Sequence, residues 1–190
     1  MGHTAIVAWR PIAWSLLGLI GAGLSIAVSP DARGLFGAAL ALLMLAIAIS
    51  DARSFVIPDR FSITAFALAL VFAAWFDGEP FPGAAAASLL RAAVTALPFF
   101  VLMVAYERLR GRPGLGLGDV KLAAVAGAWL DWYPIILAIE AAALAALAVY
   151  GVRRYLLHRP LDPTTAMPFG AFFAPAIWLS WLRDTAFLSQ

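Results

Sequence analysis

Long unbroken apolar runs, separated by short polar breaks, make up nearly the whole of this chain. The runs fall at about 12–29, 35–51, 60–76, 84–106, 120–131, 133–152 and 168–183. Apolar and polar residues do not alternate within them, so they predict helices rather than strands. Most reach the roughly 17–25 residues that a helix needs to cross a bilayer. The fifth, between Lys121 and Asp131, is short. It has to be tilted, partly re-entrant, or shielded by its neighbours. The breaks carry helix punctuation: Ser29-Pro30-Asp31, Ile57-Pro58-Asp59, Asp77-Gly78-Glu79-Pro80, Gly111-Arg112-Pro113-Gly114 and Arg159-Pro160-Leu161-Asp162-Pro163. The first run follows Arg10 as a signal peptide would. It is long enough to span and leads into further spans, so it reads as the first transmembrane helix. Alanine-rich pieces, Ala84–Ala87 and Ala141–Ala148, suit helices that approach each other closely. The expected fold is all-α, a polytopic transmembrane bundle of about six to seven spans, with residues 1–190 as one membrane domain surrounded by lipid.

Composition agrees. Hydrophobic residues make up 64% of the 190, and charged ones only 13%, where a soluble domain would carry roughly a quarter. Without cysteine, disulfides, thiol catalysis and cysteine-bound zinc are excluded. His3 and His158 lie apart and outside the apolar runs, as solvated loop residues, and no metal site is expected. Seven crossings put Arg10, Arg53, Arg60, Arg108, Arg110, Arg112, Lys121, Arg153, Arg154 and Arg159 on one face. Arg33 and Arg183 fall on the other, and Arg91 lies within a span. That asymmetry marks the arginine-rich face as cytoplasmic. The basic residues follow membrane topology, so nucleic-acid binding is not implied.

Two acids stand where lipid makes them costly. Asp51 ends the second run, and Asp119 opens the fifth; both fall on the cytoplasmic face. Asp51 sits at the C-terminal end of its helix, where the helix dipole disfavours negative charge. A salt bridge to Arg53 would be its ordinary explanation. Asp119 follows Gly114-Leu115-Gly116-Leu117-Gly118, a backbone free to bend and to approach another chain. Its ordinary explanation is a helix N-cap. The P-loop lysine and serine are missing, so phosphate binding is weakly supported. Pro58 starts the third helix, with Asp59 as its expected N-cap. Two carboxylates on one face, each beside backbone that opens space, form an acid/base pair suited to hydrolysis.

The pattern Asp51-(x)5-Ile57-Pro58-Asp59, then Gly116-Leu117-Gly118-Asp119-Val120-Lys121-Leu122, resembles the type IV prepilin peptidases, which belong to the GxGD intramembrane aspartyl proteases. Met167-Pro168-Phe169-Gly170 is similar to that family's late Pro-Phe-Gly segment, with Ala171 where many members have proline. The resemblance implies Asp51 and Asp119 as catalytic acids. It implies Pro58, Asp59, Gly116, Gly118, Lys121, Pro168, Phe169 and Gly170 as residues that shape the site or bind substrate. It also implies a prepilin or pilin-like substrate cut at the cytoplasmic face of a bacterial inner membrane, with no cofactor. The larger members carry a cysteine-bearing cytoplasmic insertion and methylate the new amino terminus. Here the first loop, 30–34, is tiny and no cysteine exists, so methyl transfer is not expected. The short form resembles the stand-alone peptidases of Flp-type pili.

Two charges remain within spans. Arg91 and Glu140 lie at similar depth, and an ion pair between them is expected, since such residues usually pair. A proton- or cation-coupled transporter using Asp51, Asp119 and Glu140 is the alternative function. It leaves the Ile-Pro-Asp and Gly-Leu-Gly-Asp patterns without a reason.

Overall fold

The computed structural model describes residues 3–76, 82–111, 114–156 and 167–188. They form helices α1 (His3–Val28), α2 (Ala32–Ser54), α3 (Asp59–Phe76), α4 (Gly83–Arg110), α5 (Leu117–Trp129), α6 (Trp132–Gly151, continued by a π-helical turn Val152–Leu156) and α7 (Gly170–Leu188). One helix answers each apolar run. The protein is a multi-pass membrane protein: among the described residues α2, α3, α4 and α6 are long and apolar enough to cross, and α1 adds the apolar stretch Ile12–Val28. His158 and the breaks at 77–80, 112–113 and 159–163 lie outside the described residues.

Helix ends shift from the apolar boundaries because the charged flanks also wind. α2 carries Asp51 in its last turn, as expected, and ends at Ser54, before Phe55 in the left-handed conformation (φ 55°), whose N–H donates to the Asp51 carbonyl. α4 reaches Arg110 and closes on Gly111 (φ 64°), the usual residue for such a cap. At the start of α2, Asp31 is a side-chain N-cap, accepting from the Arg33 amide at 2.9 Å. His3 opens α1 rather than lying in a loop.

The short α5 lies at the centre, against α3, α4 and α7. Val120, Leu122, Ala123 and the whole stretch from Val125 to Trp129 are buried. At about 1.5 Å per residue it is only about 20 Å long, less than a bilayer core. Enclosure by its neighbours makes that length tolerable, because backbone groups covered by protein need not face lipid. Ser88 of α4 donates to the Ala128 carbonyl at 2.7 Å, and the Trp129 indole donates to the Ala65 carbonyl of α3 at 2.8 Å. Gly127 lets α4 approach to backbone contact; a Cβ there would strike Arg91 and Ala92.

This arrangement corrects the Arg91 pairing. α5 intervenes between α4 and α6, and Arg91 meets Asp131, in the short link after α5, at 3.4 Å. Glu140 is exposed on α6. Arg91 therefore lies near the α5–α6 link and not beside Glu140.

Candidate active site

Asp51, in the last turn of α2, and Asp119, in the first turn of α5, line one cavity of about 280 Å³ at the same end of the bundle. Ile57, Asp59, Gly116, Gly118 and Lys121 share its walls. The two carboxylates are close enough for their charges to repel. Asp51 is buried, with 5% of its surface exposed. No ion pair to Arg53 holds it. Its Oδ2 accepts the Ala171 amide N–H at 2.8 Å, from the first turn of α7. The neighbouring amide of Gly170 is directed at both carboxylates. The positive end of the α7 dipole therefore faces the pair, opposing the unfavourable dipole of α2 at Asp51.

Asp119 is half-buried and performs part of its ordinary role. It is the third residue of α5, and its Oδ2 accepts the Gly116 amide at 3.2 Å. The Asp119 amide donates to the Gly116 carbonyl at 3.1 Å. Glycine has no side chain to complete a reciprocal cap, so the carboxylate stays at the cavity wall with an oxygen to spare.

Asp59 is not the N-cap expected of it. It lies in the first turn of α3, and its carboxylate pairs with Lys121 of α5. The two residues tie the helices on either side of the cavity mouth. Both are substantially exposed, so the pair contributes at most about 1 kcal/mol. Phe169 accepts from the amides of Phe172 and Phe173 and so caps α7. Its ring meets Phe99 of α4 (6.3 Å between centroids) and Phe173 (5.4 Å), which anchors the end of α7 beside Asp51. Pro168 precedes that cap, outside the helix.

Among the described residues of the glycine segment, none of the three glycines has positive φ. Their value is close approach. A Cβ on Gly118 would lie 3.1 Å from Ile57 Cβ, and one on Gly114 would enter the Tyr106 ring. Gly116 has room: its nearest neighbour would be Asp119 Oδ2 at 3.5 Å. The two glycines therefore differ in the space available to a side chain. Gly118→Val should lower turnover about tenfold or more by pushing Ile57 and Asp119 apart, while Gly116→Val stays within a few-fold of wild type. Initial rates of both variants at matched protein levels check the order; an inverted order would refute it.

Sequence reasoning missed three residues here. Ala171 acts through its amide, which no side-chain pattern reveals. Ile57, buried at 7% exposure, is the apolar wedge between Gly118 and Gly170; its place in Ile-Pro-Asp was the available signal. Phe55 holds a left-handed backbone at the cavity rim, a conformation unusual outside glycine and a form of strain common at functional sites. Among the described residues no three histidine, aspartate or glutamate side chains cluster as a metal site. Glu140 is not part of this cavity.

The model of the type IV leader peptidase family matches residues 38–152. The chain is 27% identical over 180 residues to the prepilin leader peptidase/N-methyltransferase of Aeromonas salmonicida, covering 95% of this chain and 60% of that protein. It is 31% identical over 144 residues to the protein of the same name from Pseudomonas putida, covering 73% and 46%. It is 30% identical over 138 residues to leader peptidase HopD of Escherichia coli, covering 72% of this chain and 84% of HopD. The chain thus spans about 60% or less of the longer relatives. No solved structure matches it.

Proposed function

The chain belongs to the type IV leader peptidase family, and from that premise we propose that it is an intramembrane aspartyl endopeptidase that removes the leader of type IV, Flp-type prepilins or pilin-like proteins. The observation that carries this reading is the shared cavity of Asp51 and Asp119, with α7 amides directed at the pair. Two neighbouring carboxylates do not both ionise cheaply, so one keeps its proton. The ionised one takes a proton from water as that water attacks the scissile carbonyl. The protonated one donates to the carbonyl oxygen and then helps protonate the leaving amine. The pair titrates as a unit, so base and acid are roles of the dyad.

Position supports the substrate class. The dyad lies at the end of the bundle where Arg53, Arg60, Arg108, Arg110, Lys121, Arg153 and Arg154 gather at helix ends. In a bacterial inner membrane the positive-inside rule makes that end cytoplasmic. A basic leader would remain there while the following apolar helix lies in lipid, which brings the junction to the depth of the aspartates. Exposure of Glu140 on α6 removes one of the three acids on which a transport reading relied. Reconstitution of the purified protein with a Flp-type prepilin, followed by mass analysis of the products, tests the proposal. One cut between leader and apolar helix is expected; an intact precursor would overturn it.

A further inference from the structure

Serine and threonine hydroxyls inside helices ordinarily turn back to the carbonyl four residues earlier. Ser25, Ser54, Thr64 and Thr95 do so here, donating to the carbonyls of Gly21, Ser50, Arg60 and Arg91 at 2.7–2.9 Å. Ser50 departs from this habit. Its hydroxyl reaches forward, out of α2, and donates to the Val56 carbonyl at 2.8 Å. Ser50 immediately precedes Asp51, and Val56 immediately precedes Ile57. One hydroxyl thus joins the helical turn that carries an aspartate of the dyad to the loop that carries the apolar wedge.

That loop needs a pin. Phe55 holds a positive φ, which a residue with a side chain keeps only where its surroundings impose it. The Phe55 and Val56 side chains are both more than half exposed, so packing does not impose it. Among the described residues two anchors do. The Phe55 N–H donates to the Asp51 carbonyl at 2.9 Å behind the turn, and the Ser50 hydroxyl holds the Val56 carbonyl ahead of it. Pro58 then confines Ile57 to extended backbone, and the Ile57 side chain lodges between Gly118 and Gly170. Gly118 adjoins Asp119. Gly170 directs its amide at both carboxylates and precedes Ala171, whose amide holds Asp51. Ile57 is therefore a spacer whose seat sets where both carboxylates stand.

Resting on the peptidase reading above, we propose that Ser50 is a positioning residue for the aspartate dyad. Its hydroxyl fixes the Val56 carbonyl, the fixed carbonyl keeps the Phe55 turn left-handed, and the turn keeps Ile57 seated between α5 and α7. The carboxylates are then held close enough to share one proton. Without the pin Phe55 relaxes to negative φ and Ile57 backs out of its seat. Repulsion between the carboxylates then lets them drift apart.

Cleavage of a Flp-type prepilin by purified enzyme in proteoliposomes, followed against pH and normalised to folded protein, tests the idea. Ser50→Ala should lower kcat about tenfold with KM nearly unchanged, the cost of moving a carboxylate by a fraction of an ångström. Alanine is the best helix former, so α2 itself is not weakened. The bell-shaped profile should also narrow from both sides, because the gap between the two apparent pKa values shrinks as the carboxylates separate. Asp59 and Lys121, the other charged side chains lining the cavity among the described residues, and the exposed Arg53 and Arg60 near it are the same in every variant. A changed profile therefore reports on the dyad. Ser50→Thr keeps the hydroxyl and should restore both rate and profile. Ser54→Ala, which removes a hydroxyl bonded only within α2, should stay within about twofold of wild type. Phe55→Gly takes up the left-handed turn without strain, so adding Ser50→Ala to it should cost less than about threefold more. That background decides the matter should Ser50→Ala fail to fold alone, and a further loss of about tenfold there would overturn the link through Phe55. A bell of unchanged shape in folded Ser50→Ala, whatever its rate, would overturn the positioning role while leaving the peptidase reading intact. A wild-type enzyme that leaves the precursor uncut sinks both.

Discussion

Asp51→Asn and Asp119→Asn should each reduce prepilin cleavage to background while the protein still inserts and folds. Asparagine keeps the shape of aspartate and retains an oxygen for the Ala171 or Gly116 amide, so the local hydrogen bonds survive. It cannot ionise to take a proton from water, nor donate as an acid of matched strength. Losing either member of a dyad typically removes a large share of the rate enhancement, about a thousandfold or more for groups that act as a unit. Asp59→Asn is the internal control. It weakens only an exposed pair with Lys121 and should leave turnover within a few-fold. Wild-type rate against pH should be bell-shaped, because at low pH both carboxyls are protonated and no base remains, while at high pH both are ionised and no acid remains. Mass-resolved cleavage assays beside circular dichroism of each variant separate chemistry from folding. Substantial cleavage by a folded Asn variant would overturn the assignment.

Gly170→Ala should be nearly as damaging, through position alone. A Cβ on Gly170 would lie 2.7 Å from Ile57 Cδ1 and 3.0 Å from Asp51 Oδ2. The ring contacts of Phe169 and Phe173 with Phe99 keep α7 from yielding freely. The Asp51 carboxylate must then move, and a displacement near 1 Å can cost about a hundredfold in rate. The expected outcome is a kcat lowered about a hundredfold with KM nearly unchanged. Combining it with Ile57→Val removes the Cδ1 clash and leaves the Asp51 clash, so activity should not return. Full rescue by the double variant would show that Gly170 matters for packing and not for the aspartate.

Much of this architecture was legible from the chain. Hydropathy alone located all seven helices, because a segment that must dissolve in lipid cannot disguise itself. The brevity of α5 was legible too, and its burial among neighbouring helices agrees with the shielding that such a length calls for. What escaped were properties that depend on lateral neighbours. That Arg91 needs a partner was readable, but only the folded bundle brings Asp131 within its reach and leaves Glu140 apart. Asp59 looked like a cap because caps are local; its pairing with Lys121 joins residues 62 positions apart. The left-handed cap of α2 escaped because such a cap announces itself through glycine, and here the residue is Phe55.

One consequence follows from the two duties of Asp119. In the proposed mechanism Asp119 alternates between protonation states during turnover, and the same carboxylate steadies the Gly116 amide at the head of α5. An ionised acceptor holds an amide roughly twice as strongly as a neutral one. Catalytic proton movement is therefore thermodynamically linked to fraying of the first turn of α5: the loop tightens when Asp119 is charged and loosens when it is neutral. In the enzyme carrying Asp119→Asn, fixed in the neutral form, the Gly116 amide should exchange its hydrogen faster than in wild type at the same neutral pH. Equal exchange rates would break the link.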